Sequence, residues 1–292
     1  MSEINERGVE SYAIVKKLLA HCLDELSRLP PLFGFKRITP VKRAIISDIH
    51  SNLEALTTVM ADIEEQKVDS IICLGDVVGY GPNPRECLDI IRSSCAVCIM
   101  GNHDHGAIYN PDGFNACAEQ AIFWTREELQ KPCDPVDVRD ARWDFLGNLN
   151  RNYVEDKMIF VHGSARNPLN EYVFPEDVYH ERKLEKIFAQ IQWIAFQGHT
   201  HVPGIFTERP YRFRSPEEFD NVRELQPDSK YMINVGSVGQ PRDNDNRACY
   251  VIFEDQTVTY RRLEYDYSAT AAKIGAISDL DNFLAERLTE GR

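Results

Sequence analysis

Five stretches of this chain end an apolar run on residues that bind metal ions: Asp48-Ile49-His50, Gly75-Asp76, Gly101-Asn102-His103-Asp104, His162-Gly163 and Gly198-His199-Thr200-His201. Together they offer carboxylates, imidazoles and one amide oxygen, with no thiolate. That donor set suits Mn(II), Fe or Zn better than a cysteine-based structural zinc or a calcium cage. Residues two apart in an extended chain point to the same side, so Asp48 with His50, and His199 with His201, can each grip one ion. The number of ligands fits two ions. A shared carboxylate such as Asp76 can bridge cations about 3.5–4 Å apart, and a water held between them becomes hydroxide near neutral pH. Taken singly, each group has a plainer reading: Asp76 and Asn102 as turn or helix caps, His162 as a hydrogen-bonded strand end. Their conjunction, each behind a strand-like run, carries the dimetal reading.

A sheet must bring these groups together. From Val41 onward short apolar runs alternate with helical patterns, the signature of α/β architecture. Strands are expected at Lys42–Ser47, Ser70–Leu74, Ala96–Met100, Met158–Val161, Ile194–Gln197, Tyr231–Val235, Ala248–Phe253 and Thr257–Leu263. Ligands of such sheets bind beyond the carboxyl ends of the strands, so groups more than 150 positions apart can share one crevice. Ser51 with Glu54 reads as a capping box, and Asn83-Pro84 opens a second helix. Further helical stretches run over Phe114–Gln130, near Asp177–Gln190, and over Ser268–Leu288. Ahead of the sheet, Ile14, Leu18, Cys22 and Leu26 form the apolar row of an amphipathic helix over Glu10–Leu29. That row is expected to pack on the main domain or on a sister subunit, which makes a homo-oligomer one expected partner. Thr207–Lys230, rich in Pro, Arg and Glu, reads as a long surface insertion.

In this order the five blocks resemble the calcineurin-like metallophosphoesterase family, whose pattern is D-x-H, G-D, G-N-H-D/E, H and G-H-x-H. The stretch Asn234-Val235-Gly236-Ser237-Val238-Gly239-Gln240-Pro241-Arg242 resembles the bacterial phosphodiesterase-like branch. The resemblance runs roughly from Arg43 to Leu263. It implies an α/β fold, a four-layer α-β-β-α sandwich carrying an N-terminal helix and inserted cap segments. The expected division is a 1–40 helical extension, a 41–265 catalytic domain with insertions near 105–157 and 204–230, and a 266–292 C-terminal helix. By the same resemblance Asp48, His50, Asp76 and His201 hold one ion, while Asp76, Asn102, His162 and His199 hold the other. His103 becomes the proton donor or oxyanion stabiliser and Asp104 its orienting partner, with a bridging hydroxide attacking phosphorus. A histidine beside a carboxylate, with an ordinary pKa near 6.5, is a reasonable proton source.

One departure bears on substrate. In the protein-phosphatase branch the second block reads G-D-x-V-D-R-G and its arginine holds the substrate phosphate; here Gly75 to Gly81 reads G-D-V-V-G-Y-G. Tyr80 takes the arginine's place, which turns the expectation from phosphoproteins toward phosphodiesters or nucleotides. Arg242, after a Gly-rich turn, is a candidate to supply the missing positive charge alongside Asn102; the plainer reading pairs it with Asp243 or Asp245. A symmetrical dinucleoside tetraphosphate hydrolase or a protein phosphatase is the alternative enzyme, and a metal-free scaffold on the same fold is the non-enzyme alternative. The intact ligand set argues against the scaffold.

Composition bounds these readings. The 292 residues are 43% hydrophobic and 27% charged, ordinary globular proportions, and 33 Lys plus Arg against 46 Asp plus Glu leave a net charge of −13. Phosphate-driven binding to nucleic acid is disfavoured by that sign, and the metal ions themselves supply local positive charge for an anionic substrate. The start, Met1-Ser2-Glu3-Ile4-Asn5-Glu6-Arg7, lacks the apolar segment of a signal peptide, apolar runs are strand-length, and a cytoplasmic protein without membrane partners is expected. Eight cysteines, including the pair Cys95 and Cys98, read as small core side chains. His21, His105 and His180 fall outside the ligand set, and Trp124 and Trp143 read as core.

Overall fold

The computed structural model describes residues 41–292. The helix expected over Glu10–Leu29, with His21, lies outside the described residues. Twelve strands follow in chain order: β1 Arg43–Ile46, β2 Ser70–Cys73, β3 Val97–Cys98, β4 Asn152–Glu155, β5 Met158–Val161, β6 Ile194–Gln197, β7 Gly204–Thr207, β8 Arg212–Arg214, β9 Val222–Glu224, β10 Tyr231–Asn234, β11 Ala248–Glu254 and β12 Thr257–Leu263. The helices are α1 Leu53–Gln66, α2 Pro84–Ser94, α3 Asn102–Ile108, α4 Ala116–Gln130, α5 Val136–Gly147, α6 Glu181–Phe188, α7 Tyr267–Gly275 and α8 Phe283–Glu290.

The strands form two six-stranded sheets, ordered β3-β2-β1-β11-β12-β9 and β4-β5-β6-β10-β7-β8. Strand alternation assigns each side chain to one of two cores. Ile45, Phe160, Phe196, Ile233 and Val251 point between the sheets, where the rings of Phe160 and Phe196 stack at 5.1 Å. Their neighbours Ala44, Ile46 and Tyr250 face the other way, against Leu56, Val59, Leu88 and Ile91 of α1 and α2. On the second sheet Ala195, Phe206 and Met232 meet Leu184, Ile187 and Phe188 of α6. The result is the α-β-β-α sandwich. Within each sheet the parallel pairs β1–β2, β5–β6 and β6–β10 bring the carboxyl ends of these strands to one edge.

The eight expected strands all occur, and the differences lie where strands are short. The segment 204–230, read as an insertion, contributes β7, β8 and β9: β7 pairs with β10, β8 with β7, and β9 with β12 of the opposite sheet. It crosses from one sheet to the other, and β8 and β9, three residues each, are too short to show periodicity. Strand β4, inside the 105–157 insertion, pairs with β5. The single helix expected over Ser268–Leu288 is two, because the Asp281 carboxylate accepts the Phe283 N–H (2.9 Å) and starts α8 afresh. The Ser51–Glu54 box is not the cap of α1. Asn52 is, accepting the Ala55 N–H at 3.1 Å, while Glu54 binds Thr270 and Lys273 of α7.

A third apolar cluster gathers Tyr80 with Ala118, Ala121 and Trp124 of α4, Ile274 of α7, and Leu284 and Leu288 of α8. Trp124 is thus a core residue, and Trp143 packs on the outer face of the first sheet. Among the described residues neither Cys95 nor Cys98 forms a disulfide, and both sit near Cys73; burial keeps the Cys95 thiol protonated well above its usual range, as suits a core side chain. No described helix is long and apolar enough to cross a membrane.

Asn52 ties the first functional loop to the rest. Its amide oxygen also accepts from Thr270 (3.0 Å), and its amide nitrogen donates to the Gly239 carbonyl at 2.8 Å. Asn52→Ala removes a cap and orphans a buried carbonyl, and is expected to cost about 2 kcal/mol in urea unfolding. A change below about 0.5 kcal/mol, the size of an ordinary surface substitution, would show that the loop is held by other means.

Candidate metal centre

Each of the five blocks leaves a strand and turns at once. Asp48, His50, Asp76, His199 and His201 all adopt the left-handed backbone conformation, with φ of 54°, 49°, 52°, 67° and 60°. Non-glycine residues pay roughly 1–3 kcal/mol each for this conformation, and such strain gathers at functional sites. The side chains of Asp48 and His50 therefore converge through a kinked turn, not through the strand alternation expected from the sequence. The loops are stitched together by backbone bonds: Asp48 N–H donates to Gly75 O at 3.0 Å, His50 N–H to Asp76 O at 2.9 Å, and Gly239 N–H to Asp48 O at 2.9 Å. Gly198 is required by close approach, since a Cβ there would overlap Ser47 Oγ and Asp48 Oδ2.

Candidate ligand atoms meet in three groups, of which one, His50 with Asp76 and His103, shares a residue with each of the other two. Asp48, His50 and His201 place donor atoms within 4.8 Å of one another, and so do Asp76, His162 and His199. Asp76 lies between the groups, its Oδ2 at 3.6 Å from His50 Nε2 and 3.2 Å from His162 Nε2. Asn102 Oδ1 is 2.9 Å from His162 Nε2. All are buried, Asn102 the most accessible at 9%. Imidazole nitrogens face each other here, His50 Nε2 to His201 Nε2 at 3.2 Å and His162 Nε2 to His199 Nδ1 at 3.0 Å. Meanwhile the outer nitrogens of His50, His162 and His201 lie 3.3, 3.1 and 2.5 Å from the carbonyls of Val78, Leu74 and Gln240. Carbonyl acceptors fix the Nδ1–H tautomer and turn an Nε2 lone pair inward, the usual support of a metal-ligating histidine. The donor set fits two cations sharing Asp76.

His103, on α3, lines the adjoining cleft with its ring 4.8 Å from His50 and 4.4 Å from Tyr80. Its backbone N–H donates to Asp76 Oδ1 at 2.8 Å, and its Nδ1 is buried with no partner among the described residues. Asp104 does not orient it. The Asp104 carboxylate accepts the N–H groups of Val77, Val78 and Gly101 at 2.9, 3.2 and 3.0 Å, clamping α3 to the loop that carries Asp76. The orienting role came from the family resemblance; here successive residues of the helix face different ways.

Arg242 makes neither of the ion pairs of its plainer reading: Asp243 pairs with Arg262, and Asp245 with Arg247. Its guanidinium sits 5.8 Å from the Tyr80 ring and donates to Gln240 Oε1 at 2.6 Å, and its Nε is buried without a partner among the described residues. Sequence reasoning missed Tyr172, stacked on His199 at 3.7 Å, and Phe114, edge-on to His103 at 4.8 Å. It also missed Arg287 of α8, which burial and then the charge of Arg242 lower to about 10. None of the three carries a local signal; tertiary packing alone brings them here. His105 stacks on Tyr109 and His180 pairs with Asp177, both away from the ligands.

Without ions the site is electrostatically taut. Burial opposes charge on His162, yet Asp76, and then Asp48, raise it to about 9. Asp76 goes the other way, burial being outweighed by His162 and His103, which hold it well below the carboxylate range. Burial drives His199 down to about 3 and His103 down to about 4, so both are neutral at pH 7. With His162 as a ligand, coordination would require its lone pair, and an ion entering at pH 7 would displace a proton. Mn(II) affinity of the metal-free protein is expected to rise about tenfold per pH unit between pH 6.5 and 8.5, with proton release on binding. Calorimetry in buffers of different ionisation enthalpy reads both; pH-independent affinity would contradict the His162 assignment.

Comparison with known proteins places this geometry. Residues 41–233 match the calcineurin-like phosphoesterase family. A metallophosphoesterase crystal structure from Sphaerobacter thermophilus is 35% identical and superposes with a TM-score of 0.73, covering 87% of this chain and 100% of the other. An uncharacterized protein of Methanocaldococcus jannaschii is 37% identical over 258 residues, 85% of this chain and 98% of that protein. A hypothetical protein of Pyrococcus horikoshii, 19% identical with a TM-score of 0.66 over 86% of this chain and 98% of its own, shares the fold. On the family match and these relatives, the chain belongs to the calcineurin-like phosphoesterase family and is a metal-dependent phosphoester hydrolase.

Proposed function

We propose that this chain hydrolyses phosphodiesters or nucleotides at a centre of two transition-metal ions, one held by Asp48, His50, Asp76 and His201 and the other by Asp76, Asn102, His162 and His199. Ions bound there supply Lewis acidity toward phosphoryl oxygens and a water acidic enough to be the nucleophile near neutral pH. The observation that carries the substrate reading is the wall beside them. Tyr80, buried between the rings of His50 (4.7 Å) and His103, occupies the position of the phosphoprotein-binding arginine. With Phe114, Tyr172, Asn115 and Asn170 it lines a cavity of about 320 Å³ that also exposes His103, Asn102 and His199. Aromatic faces with a few amide groups suit a flat leaving group such as a nucleoside.

The chain's own residues divide the work. Arg242, with a buried donor to spare, holds a non-bridging oxygen, and Asn102 orients the phosphoryl group from the other side. His103, neutral in the free protein, offers its ring N–H to the leaving oxygen; the negative charge of an entering phosphoryl group then raises its affinity for a proton. The nearby cation Arg287 favours a substrate with more than one phosphate, which keeps a dinucleoside polyphosphate as the second reading.

A hydrolysis panel run with Mn, Fe and Zn tests the substrate. Diesters, mononucleotides and dinucleoside polyphosphates are expected to be cleaved in preference to a phosphopeptide, and a phosphopeptide preference would overturn the argument from Tyr80. His103→Ala is expected to lower kcat by about 10²–10⁴ while leaving metal content unchanged. Because His103 is already neutral above about pH 4, kcat/KM should show no falling limb near pH 6.5 that disappears in this variant. Such a limb would make the free-enzyme His103 a charged acid.

A further inference from the structure

At the side edge of the sandwich, where β8 and β9 end their sheets, three arginines lie on the faces turned toward the opposite sheet, Arg212 and Arg214 exposed and Arg223 half-buried. Cross-strand partners share a face. Arg212 and Arg214 of β8 pair with Thr207 and Ile205 of β7, and Thr207 and Ile205 pair in turn with Tyr231 and Ile233 of β10. Ile205, Tyr231 and Ile233 belong to the inter-sheet core, so both arginines project from its inner face. On the facing sheet Arg223 of β9 pairs with Val258 of β12, another inter-sheet core residue. The outer neighbour Phe213 instead packs on Phe206, 4.8 Å away on the helix side.

The three guanidiniums line one cavity of about 440 Å³, floored by Ile205, Phe219 and Tyr231, with Arg209 and Lys230 at its rim. Two carboxylates, Glu208 and Asp228, also line it, and Lys230 lies 3.8 Å from Glu208. Among the described residues no carboxylate lies within ion-pairing distance of Arg209, Arg212, Arg214 or Arg223. In a chain of net charge −13, unpaired arginines gathered on one concavity form a local reversal of sign. The cavity stands apart from catalysis: β10 enters it at Tyr231 and reaches the metal edge only at Asn234, whose amide nitrogen donates to Gly198 O at 2.8 Å.

Inward-pointing charges can also serve to keep exposed sheet edges from pairing with other chains. That role needs charge on each edge alone and does not require charges from two edges to converge on a shared cavity. Arginine's planar fork, in contrast, matches phosphate oxygens two at a time. We propose that this cavity is a second, non-catalytic site that binds a small molecule bearing two or more phosphate groups, of nucleoside di- or triphosphate size. Arg212, Arg214 and Arg223 grip the phosphates, and the apolar floor accepts the remainder.

Calorimetric titration of the Mn-loaded protein with β,γ-imidoadenosine triphosphate, inorganic pyrophosphate and adenosine tests this. Binding of the first two is expected to survive Arg242→Ala at the metal centre and to weaken at least tenfold in Arg223→Gln and in Arg212→Gln. Those two variants should keep wild-type diester hydrolysis and thermal stability, and pyrophosphate binding weaker than that of the triphosphate would show that the floor contributes. Binding abolished by Arg242→Ala but untouched by Arg223→Gln and Arg212→Gln would place the anion at the metal centre and overturn the proposal. So would absence of binding at millimolar ligand, or variants that aggregate while binding normally, the latter assigning the arginines to edge protection.

Discussion

Asp76 is the point on which this structure turns. One buried carboxylate reaches imidazoles of both ligand groups, and its second oxygen accepts the His103 backbone N–H. A second buried carboxylate, Asp48, lies within 3.1 Å of His201 Nε2. Ions taken out of water cost several kcal/mol each unless fully compensated. Protein groups alone compensate poorly here, since burial keeps most of the imidazoles neutral and leaves nitrogen facing nitrogen. Cations between them would satisfy both carboxylates and the inward lone pairs together. Left-handed turns at five ligand positions add strain that only a rigid frame can hold, and two stacked sheets with helices on their outer faces provide that frame.

Position decides how much of this is legible in sequence. The long apolar strands announce themselves because burial on both faces demands continuous hydrophobic runs, as in Ile71-Ile72-Cys73. Edge elements such as β8 and β9 do not, since alternating arginine and apolar residues over three positions look like loop. The candidate ligands were legible because their chemistry is rare and their blocks recur in order. Roles that depend on direction were not. The family resemblance made Asp104 the partner of His103, whereas the helix sends the carboxylate to three backbone amides. Burial likewise moved His103 far below the ordinary histidine range, and no residue type records burial in advance. Phe114 and Tyr172 come from separate loops and Arg287 from α8, and the cleft the two rings line exists only in the folded chain.

Charge is distributed with the same economy. A chain of net charge −13 gathers cations in two places: Arg242 and Arg287 near the metal edge, and the arginines of the edge strands β8 and β9. At the carboxyl ends, parallel strands deliver turns and candidate ligands; along the side edge, the segment crossing between sheets delivers arginines to both. A shared scaffold leaves such edges free to vary, which is how one family serves many substrates.

The bridging carboxylate can be seen directly. Anomalous diffraction from crystals grown with excess manganese should reveal two peaks about 3.5–4 Å apart, both contacted by Asp76, with Asp48, His50 and His201 around one and Asn102, His162 and His199 around the other. A single peak, or manganese bound elsewhere while these side chains keep the contacts described above, would contradict the shared-carboxylate centre.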